Sequence, residues 1–263
     1  MAHVGHSDSL CESVSKNYFK ILENKNYNKL YLDSFPMLSH IGLTTVCNMS
    51  PRCDFCLYLE EDREMSRVVL DELGKDLFNT TFCVNFSIDG EPIVYREFLS
   101  VVMAIKGYIK LQTNGLSLKL RDPSVLDNLR AVCVSLDAAT RNTYSFFRPD
   151  KFYNVIDNVK FMVEYRKQRR CLHDIRLDFI IMECNKHEIF DFIALSKELG
   201  VDRVYLSYLY KVGGVIGNLD RNNTSFIYEE QQIDKEEIKR LYDSGIEYAR
   251  SISIDIEVDS IYV

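Results

Sequence analysis

The sequence predicts an α/β fold: six βα units with parallel strands inside and helices outside, forming an open, partial (β/α)6 barrel or a closed one. Two observations predict it. From about residue 40 onward, short apolar runs alternate with stretches of helical period, and the pair recurs six times. Turn and cap residues also fall where the period changes, with a proline at one helix start and a glycine behind another helix end. Helix after strand in series requires right-handed crossovers between parallel strands, and a sheet built that way curls into an open or closed barrel. Its ligand site is expected at the carboxyl ends of the strands.

The elements follow in order. Residues 1–38 read as an N-terminal extension: a leader over 1–8, then a tyrosine- and lysine-rich covering helix over 18–30. Strands are expected at 40–46, 82–88, 109–113, 131–136, 175–182 and 203–208, and helices at 65–78, 97–106, 124–130, 154–168 and 187–199. Asp122 and Pro123 supply a cap and a first-turn proline. Phe161, Met162 and Tyr165 share one helix face, and Gly200 ends the fifth helix. The core therefore spans 39–210. In 211–263, a glycine- and asparagine-rich excursion over 211–232 is a candidate lid, a long helix covers 234–250, and the alternating tail is a candidate last strand.

Composition narrows the class. A chain of 263 residues with 46% hydrophobic and 12% aromatic content can bury one large core. A net charge of −7 argues against general nucleic-acid binding. The basic run Arg166, Lys167, Arg169 and Arg170 reads as a solvated helix end. No apolar run reaches membrane length, and the N-terminus lacks the apolar centre of a secretory signal. Eight cysteines without such a signal point to a reducing, cytoplasmic setting. Cys83 and Cys133 lie in apolar runs as small hydrophobes, and Cys11, Cys171 and Cys184 are scattered. His173 and His187 read as surface or capping residues.

The chemistry concentrates in Cys47, Cys53 and Cys56. Three thiols in one loop after a strand can wrap a metal centre and leave a coordination position open. Structural zinc sites are closed by four ligands, and no second pair or well-spaced histidine is present, so an iron–sulfur cluster fits better. The competing reading makes Cys53 and Cys56 a structural or redox pair with Cys47 incidental, and the segment alone leaves both open.

The downstream motifs change the balance. Cys47, Cys53 and Cys56, with the aromatic Phe55 before the last, form a CX5CXΦC variant of the cluster motif of the radical S-adenosylmethionine (radical SAM) superfamily. Ser87-Ile88-Asp89-Gly90-Glu91-Pro92 resembles its GGEP motif, Thr113-Asn114-Gly115 its TNG, and Val134-Ser135-Leu136-Asp137 its VSLD, each at a strand's carboxyl end. Over about 40–208 the chain resembles this superfamily, in the branch whose members often carry SPASM-type C-terminal domains. The chain lacks that branch's auxiliary-cluster cysteines, so a minimal single-cluster form is expected, with a fragment of a longer protein as the alternative.

The resemblance implies a [4Fe-4S] cluster on the three cysteines, with one iron free for the amino and carboxylate groups of SAM. One electron then splits SAM into methionine and a 5′-deoxyadenosyl radical, which removes hydrogen from a small-molecule or peptide substrate. It implies that Glu91 grips the SAM ammonium while Gly90 allows close approach. Thr113 and Asn114 would line the methionine and ribose side, Ser135 and Asp137 would meet polar groups of SAM, and Arg148 would meet its carboxylate. Ser207 and Tyr208 would face the adenine, with Tyr205 and Tyr208 as candidate substrate contacts. A reductant such as flavodoxin or ferredoxin is an implied partner. The alternatives are a non-catalytic zinc-binding module, an inactive scaffold of this fold, or an activase of a partner protein.

Overall fold

The computed structural model describes residues 4–27, 33–56, 62–87, 90–119, 123–169, 174–209 and 226–259. Asp89, Asp122, Arg170, Cys171, His173 and most of the candidate lid lie outside the described residues. Helix α1 (Val4–Asn26) comes first, so the stretch read as a leader is helical from Val4. Seven strands then form one sheet in sequence order: β1 (Leu38–Ile41), β2 (Cys83–Phe86), β3 (Tyr108–Thr113), β4 (Ala131–Ser135), β5 (Asp174–Ile181), β6 (Arg203–Tyr208) and β7 (Asp255–Val258). Every neighbouring pair is parallel. The alternating tail is therefore a seventh strand.

The connecting helices are α2 (Arg67–Lys75), α3 (Leu77–Thr80), α4 (Phe98–Ala104), α5 (Arg141–Phe147), α6 (Phe152–Arg169), α7 (Ile189–Leu199) and α8 (Lys235–Ser251). Their ends follow local chemistry. The side chains of Ser66, Thr140 and Asp234 accept from the third backbone N–H beyond them. Gly200 takes the left-handed conformation at φ 77° and closes α7.

Three expectations shift. The first strand ends at Ile41 rather than 46, because residues 42–46 leave the sheet and only Thr44 makes a bridge, antiparallel to Glu64. The helix expected over 124–130 is a 3-10 turn, Pro123–Asn128. Helix α5 was not expected; Thr140 is its cap. The basic run is not simply solvated, since Arg166 pairs with Asp202 and Arg169 with Asp127 at 2.6 Å.

The two sheet faces differ in kind. Val84, Phe86, Leu111, Val132, Val134, Leu177, Phe179, Val204 and Leu206 point to the helices with no exposed surface, and Phe179 meets Phe192 of α7 at 4.7 Å. Each such side chain contributes about 1.5–3 kcal/mol on burial. The register puts His40, Asn85 and Lys110 in one row of the opposite, inner face, and Ser135, Asp178, Tyr205 and Glu257 in another. That polar concavity opens beneath the carboxyl ends of the strands. Among the described residues, no helix is long and apolar enough to cross a membrane.

Candidate cluster and cofactor site

The loop after β1 carries Cys47, Cys53 and Cys56, and its backbone is fastened at both ends. Glu91 N donates to Val46 O at 2.8 Å, Thr45 N to Arg63 O at 2.9 Å, and Asp54 N to Phe147 O at 2.9 Å. Cys56 N donates to Cys53 O at 3.0 Å, a turn that brings the last two cysteines round. Gly90 sits at φ +53°, and a Cβ there would lie 2.5 Å from both Thr44 O and Val46 O. Glycine is what allows the strand-end turn to press on the cysteine loop.

Two of the three sulfurs have named donors. Met49 N donates to Cys47 Sγ at 3.4 Å and Asn114 Nδ2 at 3.6 Å. Arg148 Nη1 donates to Cys53 Sγ at 3.3 Å. Burial pushes the Cys47 thiol up, and it carries the Cys53 thiol to about 12 against the opposing charge of Arg148. Cys47 and Cys56 both lie within the electrostatic reach of Cys53. Among the described residues, no three His, Cys, Asp or Glu side chains close up tightly enough for a single metal ion.

Glu91 is 1% exposed and forms the centre of the site. Its carboxylate accepts from Thr113 Oγ1 at 2.8 Å, Asn114 N at 2.7 Å and Ile93 N at 3.4 Å. Burial raises its pKa to about 7, the three hydrogen bonds holding it back. Asn114 joins the halves, because its side chain also donates to Asn48 Oδ1 at 2.7 Å, and Asn48 in turn donates to Ser117 at 2.7 Å. Thus Cys47, Gly90, Glu91, Thr113 and Asn114 form one connected group.

Cys53, Phe55, Asp137 and Arg148 form a second. The Arg148 guanidinium stands 5.0 Å over the Phe55 ring, and Phe55 packs edge-on against Phe147 at 5.6 Å. Asp137 is fully buried and receives Arg148 Nη2, while its other oxygen accepts from Ile180 N at 2.7 Å. Its carboxylate is thus committed to the protein. Burial works against the Arg148 charge, but Cys53 and Asp137 more than restore it and hold the group protonated.

Ser135 points into the inner face, accepting from Gln112 Nε2 at 2.9 Å. Ser207 lies on that face too, and among the described residues no hydrogen bond ties it to the cysteine loop. Tyr208 has the opposite parity and packs against the core, whereas Tyr205 faces inward under Arg176 at 4.5 Å. Sequence reasoning missed Asn48, Gln112, Arg176 and Asp178. The alternation Ile-Arg-Leu-Asp-Phe over 175–179 was the signal for the last two.

No family model matches the chain. It is 32% identical over 213 residues to a protein of Saccharolobus islandicus named probable GTP 3′,8-cyclase, covering 76% of this chain and 65% of that one. A protein of the same name from Saccharolobus solfataricus is 30% identical over 218 residues, covering 76% and 66%. The chain spans just under two thirds of the length of these relatives. Among solved structures, Streptococcus suis SuiB bound to S-adenosylmethionine superposes with a TM-score of 0.68 at 17% identity, over 94% of this chain and 55% of that one. The native anSMEcpe structure with bound AdoMet and a peptide gives 0.61 at 19%, over 84% and 63%.

Proposed function

We propose that the chain is a member of the radical SAM superfamily, as its similarity to the probable GTP 3′,8-cyclases supports, and that it binds a [4Fe-4S] cluster through Cys47, Cys53 and Cys56, cleaves SAM reductively, and takes a hydrogen atom from a small-molecule or peptide substrate. The observation that carries the reading is the meeting of Cys47, Cys53, Glu91, Asn114 and Arg148 at one edge of the sheet, with donors placed on two of the sulfurs. When bound, the cluster supplies one electron to the SAM sulfonium, which yields methionine and a 5′-deoxyadenosyl radical.

The chain's own residues bind, orient and exclude water. Glu91 is the acceptor for the SAM ammonium, and a carboxylate already desolvated gains more from that charge than an exposed one. Thr113 and Asn114 hold it in place. Arg148 provides positive charge beside the region where the SAM carboxylate would chelate. Ser135 and Ser207 offer hydroxyls from the inner face, and Phe55 lies under the Arg148 guanidinium.

This assigns a pH dependence. With its pKa at about 7, Glu91 is increasingly protonated below neutrality and cannot pair with an ammonium. The raised value means that the bare fold binds this proton more readily than the unfolded chain, so the group's contribution to stability falls as pH rises from about 4.5 to about 7. SAM affinity runs the opposite way. Calorimetric titration of the reconstituted protein should show affinity falling as pH drops below 7, approaching tenfold per unit, roughly 1.4 kcal/mol. Glu91→Gln should bind at least about tenfold more weakly and lose that slope. An unchanged slope in the variant would remove Glu91 from this role.

For the substrate, the inner face is informative. Arg176 is paired with Asp178 at 2.6 Å and Glu257 at 3.3 Å, and Arg203 with Asp174 at 2.9 Å and also with Glu257. Among the described residues of that face, Lys110 is the one Lys or Arg without an ion pair.

The test is anaerobic reconstitution with iron and sulfide, then incubation with SAM and dithionite. The expected result is a brown protein that forms 5′-deoxyadenosine. Bound zinc with no SAM cleavage would instead support the structural-metal alternative.

A further inference from the structure

We propose that Arg148 is a positioning residue for the cluster. Aimed by Asp137, it donates an N–H···S hydrogen bond to Cys53 that favours the reduced state and raises the potential at which one electron enters. This rests on the cluster reading above and goes beyond the part the resemblance assigns to Arg148.

The geometry is fixed from behind. Asp137 is a non-glycine residue at φ 60°, a conformation that costs energy and persists only where its surroundings determine it. Here they do. Asp137 N donates to Asp178 O at 3.2 Å, Asn185 Nδ2 donates to Asp137 O at 2.9 Å, and Ile180 N donates to its carboxylate. All three partners come from β5 or the turn after it, so the aim of the carboxylate does not depend on Arg148. The guanidinium, 4% exposed, is clasped by that carboxylate and lies over the rings of Phe55 and Tyr144, at 5.0 and 5.9 Å. Its second donor then falls 3.3 Å from Cys53 Sγ.

A purely structural ion pair would need Asp137 alone. The second donor ends on a cluster ligand, and it is cationic, whereas the donors to Cys47 are the neutral Met49 N–H and Asn114 amide. Reduction from [4Fe-4S]2+ to [4Fe-4S]1+ adds one electron, breaks no bond, and places part of the added charge on the cysteine sulfurs. A positive N–H donor in a water-poor site stabilises the more negative state, and hydrogen bonds to sulfur are among the determinants of cluster potential.

The experiment is a redox titration of the reconstituted full chain with dithionite and mediators, followed by electron paramagnetic resonance, with iron and sulfide content measured alongside. Arg148→Met should keep the wild-type iron and sulfide content and shift the midpoint to more negative potential, with Arg148→Lys between it and the wild type. Asp137→Asn, which leaves the arginine but loosens its aim, should shift in the same direction by less. A midpoint unmoved in Arg148→Met, even with lowered thermal stability, would make the arginine structural and end the proposal. Should that variant fail to fold, the same readout on Asp137→Asn decides, and iron loss in all three variants also counts against it. A wild-type chain that takes up no iron would overturn the cluster reading itself, a result distinct from a loaded cluster whose potential ignores Arg148.

Discussion

Cys53→Ala is expected to give a folded protein whose iron content after reconstitution falls from about four per chain to near zero. The fold should tolerate the change because only a sulfur is removed from a loop otherwise tied by backbone hydrogen bonds to Arg63, Glu91 and Phe147. The lost packing is worth about 1 kcal/mol. Assembly has no such tolerance. Two remaining thiols cannot hold a cube by three corners, whereas Cys133 sits buried within β4 and Cys83 lies in β2. Cys83→Ala and Cys133→Ala are therefore the matched controls, expected to keep full iron and sulfide. Iron analysis and visible absorbance after anaerobic gel filtration measure all three. If Cys53→Ala retains the wild-type iron content, the three-cysteine assignment is wrong, and the scaffold alternative gains.

Much of this was legible in the sequence, for physical reasons. Parallel strands covered by helices carry apolar residues at every second position or more, and the runs at 109–113, 131–136 and 203–208 stand out for that reason. The motif residues also fell at strand ends, where a parallel sheet gathers them. What sequence did not reveal was whatever depends on direction. Residues 42–46 carry the strand formers Thr44, Thr45 and Val46, yet they leave the sheet, with Thr44 Oγ1 donating to Arg63 O and accepting from Val46 N. Glu188 reads as an ordinary helix-start acid. In the fold it is 4% exposed and caps the turn at 139–143, accepting from Ala139 N at 2.7 Å and from the hydroxyls of Thr140 and Thr143 at 2.6 and 2.7 Å. Asp137 looked like a ligand for SAM because of its motif; its engagement with Ile180 and Arg148 is a matter of side-chain direction, which spacing does not encode.

That engagement makes Asp137→Ala the most destabilising single substitution expected in the site. The side chains of Asp137 and Arg148 are 0% and 5% exposed, so the variant leaves a guanidinium in the interior without its carboxylate. Removing one partner of a buried pair costs about 3–5 kcal/mol, because the remaining charge has lost its compensation. The Ile180 N–H loses its acceptor as well, worth roughly another 1–3 kcal/mol where no water reaches it. Alanine brings no relief at φ 60°, which it adopts less readily than aspartate. Asp137→Asn should lose less, since an amide oxygen can still accept from one of the two donors. The ion pair of Arg141 with Asp150, with side chains 54% and 45% exposed, gives the contrast: Asp150→Ala should change stability little, and that little should vanish with added salt. Urea unfolding followed by circular dichroism at low and high salt separates the two cases. A loss for Asp137→Ala no greater than that for Asp150→Ala would mean that the buried arginine finds another partner, and the fixed aim of Arg148 on Cys53 would have to be abandoned.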